Sequence, residues 1–322
     1  MPDHSFPQAS AIEQAARQID PVFTGTPLTS TASLDRTLGC RMLVKVETLG
    51  PLRCFKGRGT DWFVRGLDAE PGTELVTVSA GNFGQGVARA AASRGLRATV
   101  FAARAANPAK VEAMRALGAQ VHLVGRDFDE AKEAALDHAR AGGLRMVVDG
   151  DERAIAEGAG TIALEIERAV PQTVNAMVVP VGNGALAGGV GTWFRHASPG
   201  TEVVGVAAAG APATARSWRE GRLVETSSVD TIADGLAGRT AVAYAVDVMR
   251  EVVHDLVEVD DELLVRAVRL VHEHLGLVAE PSGAAGLAAV LADPARYAGR
   301  TVATVLCGSN IDPARAREFL FG

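Results

Sequence analysis

The sequence predicts an α/β fold in which mostly parallel sheets are covered by helices. Short runs of β-branched and other apolar residues alternate with longer helical patterns along most of the 322 residues. The short runs are nearly continuous in apolar residues, which is typical of strands that are buried on both faces. With 48% hydrophobic residues, the chain is long enough to form a large core and two lobes.

The individual elements follow from these two patterns. Seven apolar runs predict strands, at residues 75–78, 98–101, 121–124, 146–148, 174–179, 203–206 and 302–306. Four longer segments predict helices, at residues 83–93, 108–117, 127–141 and 260–275. Each of these helices ends within two residues of a glycine, the residue that most readily adopts the left-handed conformation after a helix. Strands that alternate with helices favour parallel sheets.

The order of the elements predicts two lobes. Residues 73–149 contain four of the strands and the helices between them, and we expect them to form a small inserted domain. Residues 1–72 and 150–322 would form the large cofactor-binding domain, with the glycine-bearing stretch 149–160 as the hinge. Active sites in such folds lie at the carboxyl ends of the strands, often between the lobes.

Composition narrows the classes of partner. The formal net charge is −6 and no basic stripe is present, so nucleic acid is not an expected partner. No apolar run approaches membrane-spanning length, and residues 1–14 lack the pattern of a secretion signal. Three widely spaced cysteines, Cys40, Cys54 and Cys307, are typical of a reducing compartment. We therefore expect a cytoplasmic protein with no membrane partner.

One glycine-rich turn follows the strand predicted near residue 179 and consists of Gly182, Asn183, Gly184, Ala185 and Leu186. Because the glycines lack side chains, an anion can approach the backbone amides at the start of the next helix. The same composition also occurs where a turn is only tightly packed. The turn lacks the final Gly-Lys-Ser/Thr of a P-loop, and it is not at the first turn of the chain, where a nicotinamide fingerprint is expected.

A second turn of this kind carries Ser79, Ala80, Gly81, Asn82 and Phe83. Ser79 or Gly81 would offer backbone amides to a carboxylate, and Asn82 would reach a ring hydroxyl group. The alternative is that Ser79 and Asn82 only cap the helix, since both residue types favour that position. Two anion-ready turns in one chain favour a ligand with two anionic groups.

Lys56 lies between Phe55 and Gly57, with Gly59 close behind. The glycines leave room for a planar ligand, and a desolvated lysine loses its proton more easily, as Schiff-base chemistry requires. The alternative is a solvated lysine at a helix start beside a core phenylalanine.

Together these segments resemble the fold-type II pyridoxal-phosphate enzymes, and most of all the serine/threonine dehydratase family. Cys-Phe-Lys-Gly-Arg-Gly at 54–59 matches the family's Ser-Phe-Lys-x-Arg-Gly motif, and residues 79–86 match its Ser-x-Gly-Asn-His-x-Gln-Gly motif. Gly-Asn-Gly-Ala-Leu at 182–186 matches its Gly-Gly-Gly-Gly-Leu phosphate cup. Further matches follow in the family's order at residues 26–28, 45–47, 232–235, 280–284 and 307–310. The resemblance implies two lobes, each a mostly parallel twisted sheet covered by helices.

The resemblance also implies a role for each matching residue. Lys56 would carry the cofactor, pyridoxal 5'-phosphate, and move the Cα proton, while Phe55 packs against the cofactor ring. Glu280 would lie near the cofactor or the substrate hydroxyl group, and Cys307 would face the pyridine nitrogen. The phosphate would be held by Gly182, Asn183, Gly184, Ala185 and Leu186. The substrate would be lined by Ser79, Ala80, Gly81, Asn82 and Phe83, with Asn82 also bonding the ring hydroxyl group.

Three departures from the family refine the expected chemistry. Cys307 cannot hold the pyridine nitrogen protonated as a carboxylate can, and the resulting weaker electron sink suits elimination better than transamination. Ala80 replaces the serine that acts as an acid and base in the serine racemases, so we expect little racemisation. The strand at 203–206 is followed by alanines at 207–209 and not by carboxylates, so we expect no magnesium site there.

We therefore predict a lyase that removes the hydroxyl group of a 3-hydroxy amino acid such as serine or threonine, releasing a 2-oxo acid and ammonia. One alternative is β-replacement or threonine-synthase-like chemistry in the same fold. A second alternative is a non-catalytic homologue that binds a metabolite. The expected partners are a small amino-acid substrate and a second copy of the chain in a homodimer.

Overall fold

Ten strands form two sheets in the computed structural model, which describes residues 4–322. The six-stranded sheet has the order β1-β2-β10-β7-β8-β9 and is parallel except for β1, which pairs antiparallel with β2. The four-stranded sheet has the order β5-β4-β3-β6 and is fully parallel. The strands are β1 Leu28–Thr29, β2 Arg41–Val46, β3 Glu74–Val78, β4 Arg97–Ala102, β5 Gln120–Leu123, β6 Arg145–Val147, β7 Ala176–Pro180, β8 Glu202–Ala208, β9 Asp255–Val259 and β10 Thr301–Leu306.

Helices connect most of these strands, as expected for parallel pairing. They are α1 Ala9–Gln18, α2 Ala32–Leu38, α3 Lys56–Arg65, α4 Asn82–Ser93, α5 Pro108–Ala116, α6 Phe128–Gly142, α7 Arg153–Ala169, α8 Ala185–Ala197, α9 Ala213–Glu220, α10 Ala243–Val252, α11 Asp261–Leu275, α12 Pro281–Ala292, α13 Pro294–Tyr297 and α14 Pro313–Phe321. Within the described part of the chain, no helix combines the length and the apolar character that crossing a bilayer requires.

Each sheet separates two apolar layers. In β7, Met177 and Val179 lie in one cluster of buried side chains, whereas Ala176 and Val178 lie in the cluster on the opposite face. The smaller sheet shows the same alternation between its own two clusters. Burial on both faces explains why the strands are nearly continuous in apolar residues. The α/β class and the parallel sheets predicted from the sequence are therefore confirmed.

All seven predicted strands and all four predicted helices are present, with ends that differ by at most two residues. The sequence did not predict β1, β2 or β9. In β2 the polar residue Lys45 is buried with only 3% exposure, and it is compensated by an ion pair that the sequence pattern does not reveal. The four-stranded sheet lies within the predicted small domain, while the domain boundaries at residues 72/73 and 149/150 remain a prediction.

The stretch 149–160, predicted as a hinge, is helical in its second half. Only a short turn precedes α7, which begins at Arg153. The glycines in this stretch serve close packing. A Cβ atom on Gly158 would lie 2.5 Å from the Arg58 carbonyl oxygen in α3, and one on Gly160 would lie 2.8 Å from the Gly189 carbonyl oxygen in α8. Helix α7 therefore packs backbone to backbone against α3 and α8, which a flexible hinge could not do.

Candidate active site

The carboxyl ends of strands from both sheets meet at one cleft. The backbone amide of Phe55 donates to the carbonyl oxygen of Cys307, at a distance of 3.1 Å, and places the start of α3 beside the end of β10. The side chain of Asn82, in the first turn of α4 after β3, contacts Glu280 at the start of α12. The residues predicted to form the site from distant parts of the sequence are thus brought together.

Lys56 is the first residue of α3, and its side chain is only 16% exposed. Its Nζ atom lies 4.7 Å from the centre of the Phe55 ring and 5.7 Å from that of Phe83. Phe83 is itself buried in the apolar cluster beneath the smaller sheet. The same Nζ atom is 2.6 Å from Oδ2 of Asp149, a residue that the sequence patterns did not single out. The lysine amine is therefore held between two rings and one carboxylate.

The turn before α8 presents unused backbone amides. Among residues 4–322, no acceptor contacts the amides of Gly182, Asn183 or Gly184. Gly184 has a φ of +96°, which favours glycine, and a Cβ atom there would lie 2.9 Å from the side chain of Ala245. A 13-residue helix starts at Ala185, so its positive dipole end adds to these amides. This arrangement fits a phosphate group.

The turn before α4 differs in detail from the expectation. The amides of Ser79 and Gly81, expected to be free for a carboxylate, are both used within the protein. Ser79 donates to the Phe101 carbonyl oxygen, and Gly81 donates to the Ser79 hydroxyl oxygen. That oxygen also accepts a hydrogen bond from the Gly84 amide at 3.0 Å, so Ser79 caps the helix.

Free amides remain in this turn at other positions. Within the described residues, no acceptor contacts the amides of Asn82 and Phe83 in the first turn of α4. Ala80 is exposed and contributes only a methyl group. The turn can therefore still receive a carboxylate, through the start of the helix and not through Ser79 and Gly81.

Asn82 and Asn310 form a partly buried chain of hydrogen bonds with the buried Glu280. Asn310 Nδ2 donates to Asn82 Oδ1, and Asn82 Nδ2 donates to Glu280 Oε1, each at 2.7 Å. The other oxygen of Glu280 is buried and has no partner among the described residues. Burial raises the pKa of Glu280 to about 7, and the charge of Asp234 adds to the rise, while Lys110 and Asn82 oppose it. Near neutral pH this carboxyl group can therefore donate a proton or a hydrogen bond.

Cys307 is buried at the end of β10, where its thiol contacts the carbonyl oxygen of Val305 at 3.4 Å. Burial raises the pKa of this thiol well above its usual range. Burial likewise raises the pKa of Cys54 to about 12. Both thiols are therefore neutral at physiological pH, which fits a ring nitrogen that stays unprotonated.

Lys110 and Asp234 form an ion pair at the same cleft that the sequence analysis missed. Lys110 lies on α5, a helix that belongs with the smaller sheet. Asp234 starts a short 3-10 turn in the part of the chain that forms the larger sheet. The Lys110 amine lies 3.9 Å from the position that a Cβ atom on Gly81 would occupy. The sequence around Lys110 indicated only a lysine in the first turn of a helix, which does not predict this ion pair.

Several of the matching motif residues lie outside the cleft. Arg58 is completely buried and pairs with Glu47 at 2.8 Å and with Glu165 at 2.7 Å. Lys45 also pairs with Glu165, at 2.6 Å, and donates to the carbonyl oxygen of Thr26. These residues form a charge-balanced network of two cations and two anions. The motifs at residues 26–28 and 45–47 therefore stabilise the fold around the lysine helix.

The donor set fits pyridoxal phosphate: a shielded amine on Lys56, free amides before α8, and the neutral thiol of Cys307. A family model described as "Pyridoxal-phosphate dependent enzyme" matches residues 19–308. The chain belongs to this family. Its cofactor is pyridoxal phosphate, and the fold-type II assignment made from the motifs is confirmed.

The proteins that this chain resembles are named for several different activities. The chain is 36% identical over 302 residues to an L-threonine ammonia-lyase of Thermotoga maritima, covering 94% of this chain and 75% of that protein. It is 33% identical over 290 residues to a biosynthetic L-threonine dehydratase of Pasteurella multocida, covering 89% of this chain but only 56% of that protein. The structure of maize serine racemase superposes with a TM-score of 0.90 at 27% identity, covering 98% of both chains.

Proposed function

We propose that this chain is an ammonia-lyase that eliminates the 3-hydroxyl group of a hydroxy amino acid and releases a 2-oxo acid and ammonia. L-threonine is the first substrate to test, because the T. maritima relative is named an L-threonine ammonia-lyase and matches 94% of this chain. One observation carries the choice of elimination: this chain has Ala80 at the position where the serine racemases that it resembles carry a serine as acid and base, and the Phe83 ring near the Lys56 amine offers no group that transfers protons. With Lys56 as the group that would exchange the proton at Cα, loss of the β-substituent competes better than reprotonation on the opposite face.

Pyridoxal phosphate, when bound, supplies a ring that withdraws electrons from the amino acid's Cα atom. Lys56 would hold the cofactor and remove the Cα proton, with Phe55 beside the ring. The amides of the turn at residues 182–186 would hold the phosphate. The neutral Cys307 thiol would lie at the ring nitrogen, where it limits electron withdrawal and so favours prompt loss of the β-substituent.

The substrate itself would be oriented by the start of α4. Its carboxylate would bind the amides of Asn82 and Phe83, and the positive charge of Lys110 lies close to that turn. The unpartnered oxygen of Glu280 would meet the cofactor hydroxyl group or the substrate hydroxyl group. Phe83 makes this side of the cleft apolar, which suits a β-carbon that carries a methyl group.

Racemisation is the second candidate, because a serine racemase shares the fold over nearly the whole chain. Ala80 argues against it, since inversion at Cα requires a proton donor on the face opposite Lys56. Chiral chromatography of recovered substrate separates the two activities in the same assay.

The proposal is tested with purified cofactor-loaded protein and a panel of L-serine, L-threonine, 3-hydroxyaspartate and phenylserine. We expect equimolar 2-oxo acid and ammonia from at least threonine or serine, with no D-isomer in the recovered substrate. Lys56→Ala should abolish turnover, whereas Lys132→Ala, which alters a lysine on α6, should leave it unchanged. Turnover retained in Lys56→Ala would contradict the proposal. Silence across the panel with the cofactor bound would instead indicate β-replacement.

We also propose that the protein works as a cytoplasmic homodimer. The family resemblance supports the dimer, and the three buried, unpaired cysteines are compatible with a reducing compartment. Light scattering of the loaded protein would contradict the dimer if it gave the mass of one chain.

A further inference from the structure

Asp149 places a carboxylate directly on the reactive amine. It follows β6 of the smaller sheet, in the turn that leads to α7. Its Oδ2 atom is 2.6 Å from Lys56 Nζ, and the two side chains are only 14% and 16% exposed. At this distance and degree of burial, a charge-assisted hydrogen bond is much stronger than a surface ion pair.

The turn that carries Asp149 is packed against the phosphate loop. Gly150 has a φ of +89°, and a Cβ atom there would lie 2.6 Å from the carbonyl oxygen of Asn183. Asn183 Nδ2 is also 3.5 Å from Asp149 Oδ2. The other carboxylate oxygen, Oδ1, is buried and has no partner in the part of the chain that the structure describes. The backbone therefore holds the carboxylate between the lysine and the phosphate loop.

The other ionisable groups near Lys56 are either neutral or paired elsewhere, so Asp149 is its charged partner. The thiols of Cys54 and Cys307 lie close enough to feel the lysine charge, and burial raises the pKa of both, so they are neutral. Glu280 is bonded to Asn82, and Lys110 is paired with Asp234. Among the described residues, Asp149 provides the one carboxylate within hydrogen-bond distance of the Lys56 amine.

We propose that Asp149 is the positioning residue of Lys56, holding the lysine amine in place whenever the lysine is not bonded to the cofactor. This inference rests on the proposed role of Lys56 as the cofactor-bearing residue. Asp149 acts through Lys56, because its hydrogen bond aims the lysine nitrogen into the cleft. Asp149 lies outside every segment that matches a motif of the family.

Competitive acetylation of the full-length protein without cofactor tests the pairing directly. The four lysines, Lys45, Lys56, Lys110 and Lys132, are resolved by peptide mass spectrometry across a range of pH. In Asp149→Asn we expect Lys56 to be acetylated several-fold faster relative to Lys132, because its amine is released from the charge-assisted hydrogen bond with the carboxylate. Lys132 serves as the internal reference, and its acetylation rate should not change.

Matched variants make the result specific. Asp149→Glu, which retains the charge, should restore most of the wild-type profile, and Asp149→Ser should behave like Asp149→Asn if the asparagine variant folds poorly. Asp151→Asn, two residues along and paired with His4, should leave Lys56 unchanged. A Lys56 profile in Asp149→Asn or Asp149→Ser identical to wild type would overturn the inference, whatever the activity.

Cofactor loading distinguishes this inference from the proposed function. If wild-type protein binds no cofactor at all, the proposed function fails, while the acetylation profile still decides the role of Asp149.

Discussion

At the scale of single residues, the sequence predicts which residues belong to the site better than it predicts their charge state. The motif at residues 280–284 indicated that Glu280 belongs to the site, but its protonation depends on burial and on neighbours from four separate segments. Burial raises the pKa of the carboxyl group to about 7, and Lys110, Asn82 and the Asn310 amide only partly offset the effect. Asp149 was missed for the same reason, since its contact with Lys56 joins positions 93 residues apart.

The raised pKa of Glu280 predicts a pH dependence of stability. An exposed Glu titrates near 4.3, so between that pH and about 7 the folded protein binds more protons at Glu280 than the unfolded chain does. The stabilisation of the folded state that comes from protonated Glu280 is therefore present at low pH and is lost as pH rises through this window. Glu280→Gln mimics the protonated form. Its free energy of unfolding should fall less than that of wild type between pH 5 and pH 8, by an amount on the order of 2 kcal/mol.

Urea unfolding of the cofactor-free protein at both pH values measures this difference. Glu133→Gln, which changes an exposed carboxyl group on α6, is the matched control and should follow wild type. If Glu280→Gln loses as much stability as wild type over the same range, the carboxyl group is not held protonated by its surroundings.

At the scale of elements, the residues of the motif at 54–59 have two separate roles. Lys56 starts α3 and faces the cleft, whereas Arg58 two positions later points to the opposite side and binds Glu47 and Glu165. Burial alone would raise the pKa of Glu165, but the hydrogen bonds and charges of Arg58 and Lys45 lower it to about 2. Glu165 therefore stays charged down to acid pH, and the network joins β2, α3 and α7.

Arg58→Lys should destabilise the fold by about 3 kcal/mol, because a lysine cannot supply the forked donors that both carboxylates share, and an underpaired buried charge is costly. Arg222→Lys, which changes an arginine that is 71% exposed, should alter the free energy of unfolding by less than about 0.5 kcal/mol. Urea unfolding at pH 7 measures both variants. Equal stability of Arg58→Lys and wild type would show that the network contributes nothing to the fold.

At the scale of the whole molecule, periodicity predicted the α/β class, seven strands and four helices, because buried parallel strands are apolar throughout. It missed the two-residue strand β1, β2, whose Lys45 pairs with a partner 120 positions away, and β9, where Asp255 and Glu258 interrupt the apolar run. Composition predicted a hinge at residues 149–160, and it did not reveal that Gly158 and Gly160 lie at helix–helix contacts.

The four lysines allow the central claim to be tested directly. Lys45 is locked in the buried network, Lys110 is paired with Asp234, and Lys132 lies on α6 away from the cleft residues. Borohydride reduction of the cofactor-loaded protein makes the bond between the cofactor and its lysine permanent, and peptide mass spectrometry then identifies the modified residue. Our account predicts the cofactor on Lys56 alone. Modification of Lys110 or Lys45 instead, or of no lysine, would contradict it.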